Sequence, residues 1–333
     1  MLMQAGELPL RSFLEPVPEL NDPTVREIVI NRPGEIGVER STGDRAREGG
    51  WSWREVPQFT LDRLDQIGIL AGWALSKDLD ADNPICMTTL PDGQRCTIVR
   101  SPAVSRDTVS ITIRNPSHDK RTVFDPDFDA LMRAATTGPK GRGKADETLL
   151  ALYRAKAWPE FFSFAVKSHK TIAATGTTGS GKTTFLKRLM REIEAFERLI
   201  TIEDTDEFGK LTLRNRVSMF FGSANVTAEK AVEASLRMRP DRVAMQELRG
   251  AEAWAYIRLL AAGHPGGLTT WHAEDGDAFT PLALMAKQSE AGRNIPDDKL
   301  MAILRSFIDI VAYCKRDESG FSVPSVWFRA AEE

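Results

Sequence analysis

The stretch from Thr171 to Thr184, TIAATGTTGSGKTT, restricts the possible folds of this chain more than any other segment. Thr171–Thr175 is a short apolar run of strand character, and a helical pattern follows Lys182 to about Glu194. Between them, Gly176-Thr177-Thr178-Gly179-Ser180-Gly181-Lys182-Thr183 matches GxxxxGK followed by Ser or Thr, in the strand-to-helix context the motif requires. Glycines let the backbone turn its amides inward around phosphate oxygens, and the N-terminus of the following helix, with Thr184 close to it, adds positive potential. In that chemistry Lys182 reaches the β and γ phosphates and the Thr183 hydroxyl ligates magnesium. The expected ligands are therefore ATP and Mg2+.

The surrounding pattern predicts an α/β unit. Short apolar strands at Thr171–Thr175, Leu199–Ile202, Val243–Met245 and Leu268–Trp271 alternate with helical segments, which implies a mostly parallel sheet with helices on both faces. Upstream, the pattern is α+β. Val25–Ile30 and Glu35–Glu39 are strands around Asn31-Arg32-Pro33-Gly34, and Trp51–Phe59 is a third. Thr60 caps a helix with Leu61, Leu64, Ile67, Leu70, Ala71 and Leu75 on one face, two strands flank Pro91-Asp92-Gly93, and Thr108–Arg114 alternates like another strand. From Thr136 to Lys144, three glycines, a proline and three cations suit a flexible linker. The expected domains are thus 1–135, a linker over 136–146, and 147–333. Within the linker, Gly138 to Lys144 also spells GxxxxGK, but Ala145 stands where the magnesium hydroxyl belongs and no buried strand precedes it. It is not a nucleotide site.

Two carboxylate segments follow the phosphate loop. Glu203-Asp204-Thr205-Asp206-Glu207 places four acids at the end of a strand, where an open α/β sheet binds its ligands. Acids there hold magnesium or orient water, and Glu203 is the residue expected in the metal shell. The strand Val243–Met245 then leads into Gln246-Glu247-Leu248-Arg249, and Glu247 is expected to orient or activate the attacking water, with Glu203 the runner-up for that catalytic role. His264 and His272, two of only four histidines, flank a further strand; without a third or fourth ligand at metal spacing, His272 is expected to sense phosphate.

Composition closes off other classes. A net charge of −3 argues against a chain-wide nucleic-acid footprint, although Arg237, Arg239 and Arg242 form a local basic patch that leaves a helicase open. Three cysteines without a CxxC pair suggest neither a disulfide framework nor a zinc ribbon. No secretory signal or membrane-spanning run is present, so the expected location is cytoplasmic with at most peripheral membrane contact.

The four segments, GTTGSGKTT, TIEDTDEF, RPDRVAMQELRGAEA and GHPGGLTTWHA, in that order, resemble the traffic ATPases that power type II and type IV secretion and pilus machines. The similarity spans about residues 95–275, and the missing four-cysteine module favours the conjugative and type IV branch. The resemblance implies a RecA-like ATPase domain, a smaller N-terminal α+β domain and a homo-hexameric ring of two layers. It also implies nucleotide between the two domains and close to the neighbouring subunit, with other secretion components at the inner membrane. Arg95 and Arg114 match family positions suited to γ-phosphate contact, Arg114 as a catalytic group and Arg95 as a nucleotide-binding one. Departures are Thr177, where proline is usual, and Gln246, where a small residue is common. A type II or pilus-retraction motor, a P-loop kinase and a nucleotide-gated scaffold with little turnover stay open.

Overall fold

The computed structural model describes residues 2–40, 50–73, 78–116, 143–209, 211–223, 225–318 and 320–332, with side chains from residue 8 onward. Most of the segment expected as a linker, and the second GxxxxGK run within it, lies outside these residues. Its last residues, 144–146, open a helix, two positions earlier than the helical pattern suggested.

The first unit is a six-stranded antiparallel sheet in the order β3-β2-β1-β6-β5-β4. Its strands are β1 (Val25–Ile30), β2 (Glu35–Arg40), β3 (Trp51–Glu55), β4 (Ile85–Thr89), β5 (Arg95–Arg100) and β6 (Val109–Arg114). β3 ends four residues before the expected boundary at Phe59. Helices α1 (Leu2–Leu14) and α2 (Leu61–Trp73) pack together on this sheet. Leu10, Leu14, Leu64 and Ile67 meet Ile28, Ile30, Ile111 and Ile113 in one core. The alternation of β strands and the 3.6-residue spacing of α2 produce this directly, because each presents one apolar face to the other.

The second unit is a seven-stranded sheet, β13-β12-β7-β11-β10-β8-β9, parallel except for the edge strand β13. The strands are β7 (Ile172–Thr175), β8 (Leu199–Glu203), β9 (Arg216–Phe220), β10 (Arg242–Leu248), β11 (Leu268–Trp271), β12 (Ile310–Asp317) and β13 (Gly320–Phe328). β7, β8 and β11 are buried along their whole length, as strands covered by helices on both faces must be. One face carries α3 (Lys144–Arg154), α4 (Trp158–Lys167) and α5 (Lys182–Met190), through Leu149, Phe161, Val166 and Leu186. The other carries α6 (Ala228–Leu236), α7 (Glu252–Ala261), α8 (Phe279–Ala286) and, after the short α9 (Glu290–Arg293), α10 (Asp297–Phe307). Helix α11 (Arg329–Glu332) is the last of the described elements.

The two units meet along the β9 edge and at the N-terminal ends of the parallel strands. Val99, Ala103 and Val104 join the apolar cluster of the second unit, and the Phe220 amide donates to the Ala103 carbonyl at 2.8 Å. Arg198, fully buried just before β8, anchors the contact. It donates to Asn31 Oδ1 (2.7 Å), Asn215 Oδ1 (2.6 Å), Thr112 Oγ1 (3.1 Å) and the Met238 carbonyl (2.7 Å). Burial pushes its guanidinium pKa down to about 9. Beside it Arg239 forms an ion pair with the buried Glu39 at 2.7 Å.

Candidate functional site

β7 ends at Thr175, and the chain then turns into α5 through the glycine loop. Gly176 has φ +136°, and a Cβ there would stand 2.2 Å from the Cys314 carbonyl of β12, so only glycine closes the turn. Gly181, at φ +90°, is the residue before α5 and sets the helix N-terminus toward the loop. The Ser180 hydroxyl is buried within the loop without a protein hydrogen-bond partner, a polar group that an oxyanion would satisfy. Gly176, Thr177 and Thr178 line a cavity of about 510 Å³, closed opposite by His272, Ala273, Glu274, Asp277 and Pro281. Thr177 therefore occupies its family-atypical position at the cavity wall, while Gly179 turns at φ +74° and Thr184 lies in the first turn of α5.

Lys182 is buried, and its ammonium donates to the carbonyls of Gly176 and Thr177, both at 3.0 Å. Burial lowers its pKa, against the opposing charge of Glu247. Lys182 Nζ lies 3.4 Å from His272 Nδ1, and His272 Nε2 lies 2.8 Å from Glu247 Oε1. One neutral tautomer satisfies both contacts, with Nδ1 accepting from lysine and Nε2–H donating to glutamate. Three expected site residues from three strand ends thus meet in one chain of polar contacts. The other Glu247 oxygen accepts from Arg249 Nε at 2.6 Å, and Arg249 also pairs with Asp204.

The acidic segment is built differently from the expectation. Glu203 is fully buried. Its Oε1 accepts from Thr201 at 2.8 Å, and its Oε2 from the backbone amides of Glu207 (3.1 Å) and Phe208 (2.8 Å). Burial raises its pKa. Its carboxylate, 3.8 Å from Arg216 Nη2, is closed to solvent and holds the turn that carries the other acids. Glu207 is the acid beside the magnesium-type hydroxyl: Thr183 Oγ1 donates to Glu207 Oε2 at 3.2 Å. Gln246 points its amide oxygen at the Asp204 amide (3.0 Å), so it supports the same turn. Sequence reasoning placed Glu207 in the right segment without singling it out, and passed over Arg249. The signal for both was the acidic segment's length: a turn tight enough to bring Glu207 back needs a buried acceptor at Glu203 and a cation between strand ends.

Arg95 and Arg114 do not join this group within one chain. They are register partners on β5 and β6, and Arg114 is exposed and pairs with Glu27 at 3.5 Å. Thr112, two residues away on β6, contacts Arg198 at the N-terminal end of β8. The loop lies at the C-terminal end of β7, which is four strands from the β9 edge, roughly 19 Å at ordinary sheet spacing. Within one chain, the cavity at the loop is lined by residues of the second unit.

A glycine loop between strand and helix, a buried lysine on it and a carboxylate at a neighbouring strand end define a phosphate-loop ATPase domain. Residues 149–316 match the family model described as type II/IV secretion system protein. VirB11 of the Brucella suis type IV secretion system is 35% identical over 327 residues, covering 95% of this chain and 89% of that protein. The VirB11 protein of Rhizobium radiobacter is 36% identical over 331 residues, covering 96% and 94%. The crystal structure of the Brucella suis VirB11 ATPase in complex with sulphate superposes with a TM-score of 0.91 at 33% identity, over 99% of this chain and 98% of that one. The chain belongs to the type II/IV secretion ATPase family, in its type IV branch with VirB11. No helix among the described residues is long and apolar enough to cross a membrane.

Proposed function

We propose that this chain hydrolyses ATP to drive a type IV secretion apparatus, with residues 1–135 as one domain and the unit that opens with α3 at Lys144 as the other. The observation that carries the reading is the contact chain Lys182–His272–Glu247 at the glycine loop. Lys182 and the loop amides hold the phosphates. Glu247 takes the proton of a water as its oxygen bonds to the γ phosphorus, and the bond to the β-phosphate oxygen breaks, releasing ADP and phosphate. His272 touches both Lys182 and Glu247, so it links the presence of the terminal phosphate to the orientation of the base.

The Thr183 hydroxyl and the Glu207 carboxylate are hard oxygen donors 3.2 Å apart, a pair that suits magnesium, which favours few protein ligands plus phosphate and water. When bound, Mg2+ neutralises charge developing on the phosphates. A homo-hexameric ring at the cytoplasmic face of the inner membrane, in contact with other secretion components, is the assembly we infer from the family. The relative solved with sulphate bound supports an anion-binding role for the fold. The test is phosphate release by the purified full chain with ATP and Mg2+. Lys182→Ala should abolish it while circular dichroism stays unchanged; turnover near wild type would remove the loop from the mechanism.

A further inference from the structure

The strand-end groups proposed to act on the terminal phosphate all come from one flank of β7. His272 follows β11, Glu247 lies on β10 and Glu207 follows β8, and these strands stand on the same side of β7 in the sheet. A nucleotide whose γ phosphate faces them must carry its nucleoside toward the other flank. There the sheet continues as the β12–β13 hairpin, packed so closely that the Cys314 carbonyl fills the space beside Gly176.

At the mouth of that hairpin stands Phe321. Its ring edge lies against Gly181, where a Cβ would approach Cδ1 to 2.8 Å. Arg316, its cross-strand partner, holds its guanidinium 5.1 Å from the ring centroid. The ring is therefore fixed from one edge and one side, yet Phe321 is 63% exposed, among the few large apolar side chains left open to solvent among the described residues. A rigid aromatic held beside a phosphate loop and not used by either core offers a stacking face.

We propose that Phe321, braced by Arg316, is the platform on which the base of the bound nucleotide stacks; this rests on the phosphate-loop reading above. Stacking reads the presence of a base and not its hydrogen-bonding edge, because every base has a π-face. The site therefore accepts nucleoside triphosphates with little preference between bases, adenine and guanine among them.

The test is calorimetric titration of the full chain, in the presence of Mg2+, with ATP, GTP and inorganic triphosphate. Phe321→Ala should weaken ATP and GTP about tenfold, at the low end of what base–aromatic stacking supplies, and leave triphosphate unchanged. Phe321→Tyr should keep wild-type affinity, and Arg316→Gln should lose part of it for the nucleotides alone. An equal loss for triphosphate would show that the ring only shapes the loop through Gly181, and no loss for ATP would show that the base lies elsewhere; either overturns the proposal. If the wild type took up neither ATP nor triphosphate, the phosphate-loop reading itself would fall, a result distinct from both.

Discussion

At the scale of single residues, Glu203 and Glu207, two of the four acids in one strand-end segment, divide two tasks. Glu203 is enclosed and accepts three hydrogen bonds, two of them from the backbone of the turn. Glu207 reaches the hydroxyl of Thr183. The two should therefore fail differently. Glu203→Gln leaves one amide oxygen where two carboxylate oxygens accepted, which costs about 1–3 kcal/mol and lowers the melting temperature. Glu207→Gln should leave melting unchanged and cut magnesium-dependent turnover about a hundredfold. Thermal melts and phosphate release on both variants read this out; a turnover loss in Glu203→Gln with unchanged melting would return the metal role to Glu203.

Among the elements, the interface that joins the N-terminal sheet to the β9 edge carries a buried acid. Glu27, on β1, has a buried Oε2 without a hydrogen-bond partner, and burial raises its pKa from 4.5 to about 7, the nearby Arg114, Arg239 and Arg198 opposing the shift and Glu39 adding to it. A folded-state pKa above the unfolded one means stability present below about pH 4.5 and lost as pH rises through 7. Glu27→Gln should remove that loss. Its stability should exceed that of the wild type at pH 8 by an amount approaching about 3 kcal/mol, read as a higher melting temperature, and match it near about pH 4. An equal difference at both values would place the titration elsewhere.

The elements also mark how far the sequence could be read. β7, β8, β10 and β11 were legible because strands buried on both faces carry short apolar and β-branched runs, and the loop because its glycines serve the backbone locally. β9, β12 and β13 were not assigned. β9 alternates between buried and half-buried residues, and in β12 the apolar run Ile310–Cys314 passes without a turn signal into the charged Lys315-Arg316-Asp317. Arg198, Asn31 and Asn215 meet only through tertiary structure, from positions 167 and 184 residues apart, and no local spacing announces a buried polar contact of that kind.

For the whole molecule, the position of Arg114 decides how subunits share a site. Its strand is tied through Thr112 to Arg198, at the end of the parallel sheet opposite the phosphate loop. To act on its own chain's nucleotide, it would first have to break a buried set of charged hydrogen bonds, each of about 1.5–3 kcal/mol. A contribution to catalysis is therefore expected across a subunit boundary of the inferred ring. Mixed assemblies of Arg114→Ala and Lys182→Ala chains test this. Phosphate release should reappear on mixing, where an intact loop faces a neighbour's intact Arg114; silence in all mixtures, with each parent silent, would place Arg114 in its own chain's mechanism. If Arg114→Ala alone keeps full turnover, Arg114 has no catalytic part.

The central claim is that Glu247, held by His272 and Arg249, activates water at the glycine loop. Its most direct test is the fate of ATP on Glu247→Gln, whose amide cannot accept the proton. Incubated with labelled ATP and Mg2+ and rapidly separated, the variant should retain intact ATP on the protein, with turnover reduced by about 10²- to 10⁴-fold. Bound ADP forming at the wild-type rate would contradict the assignment.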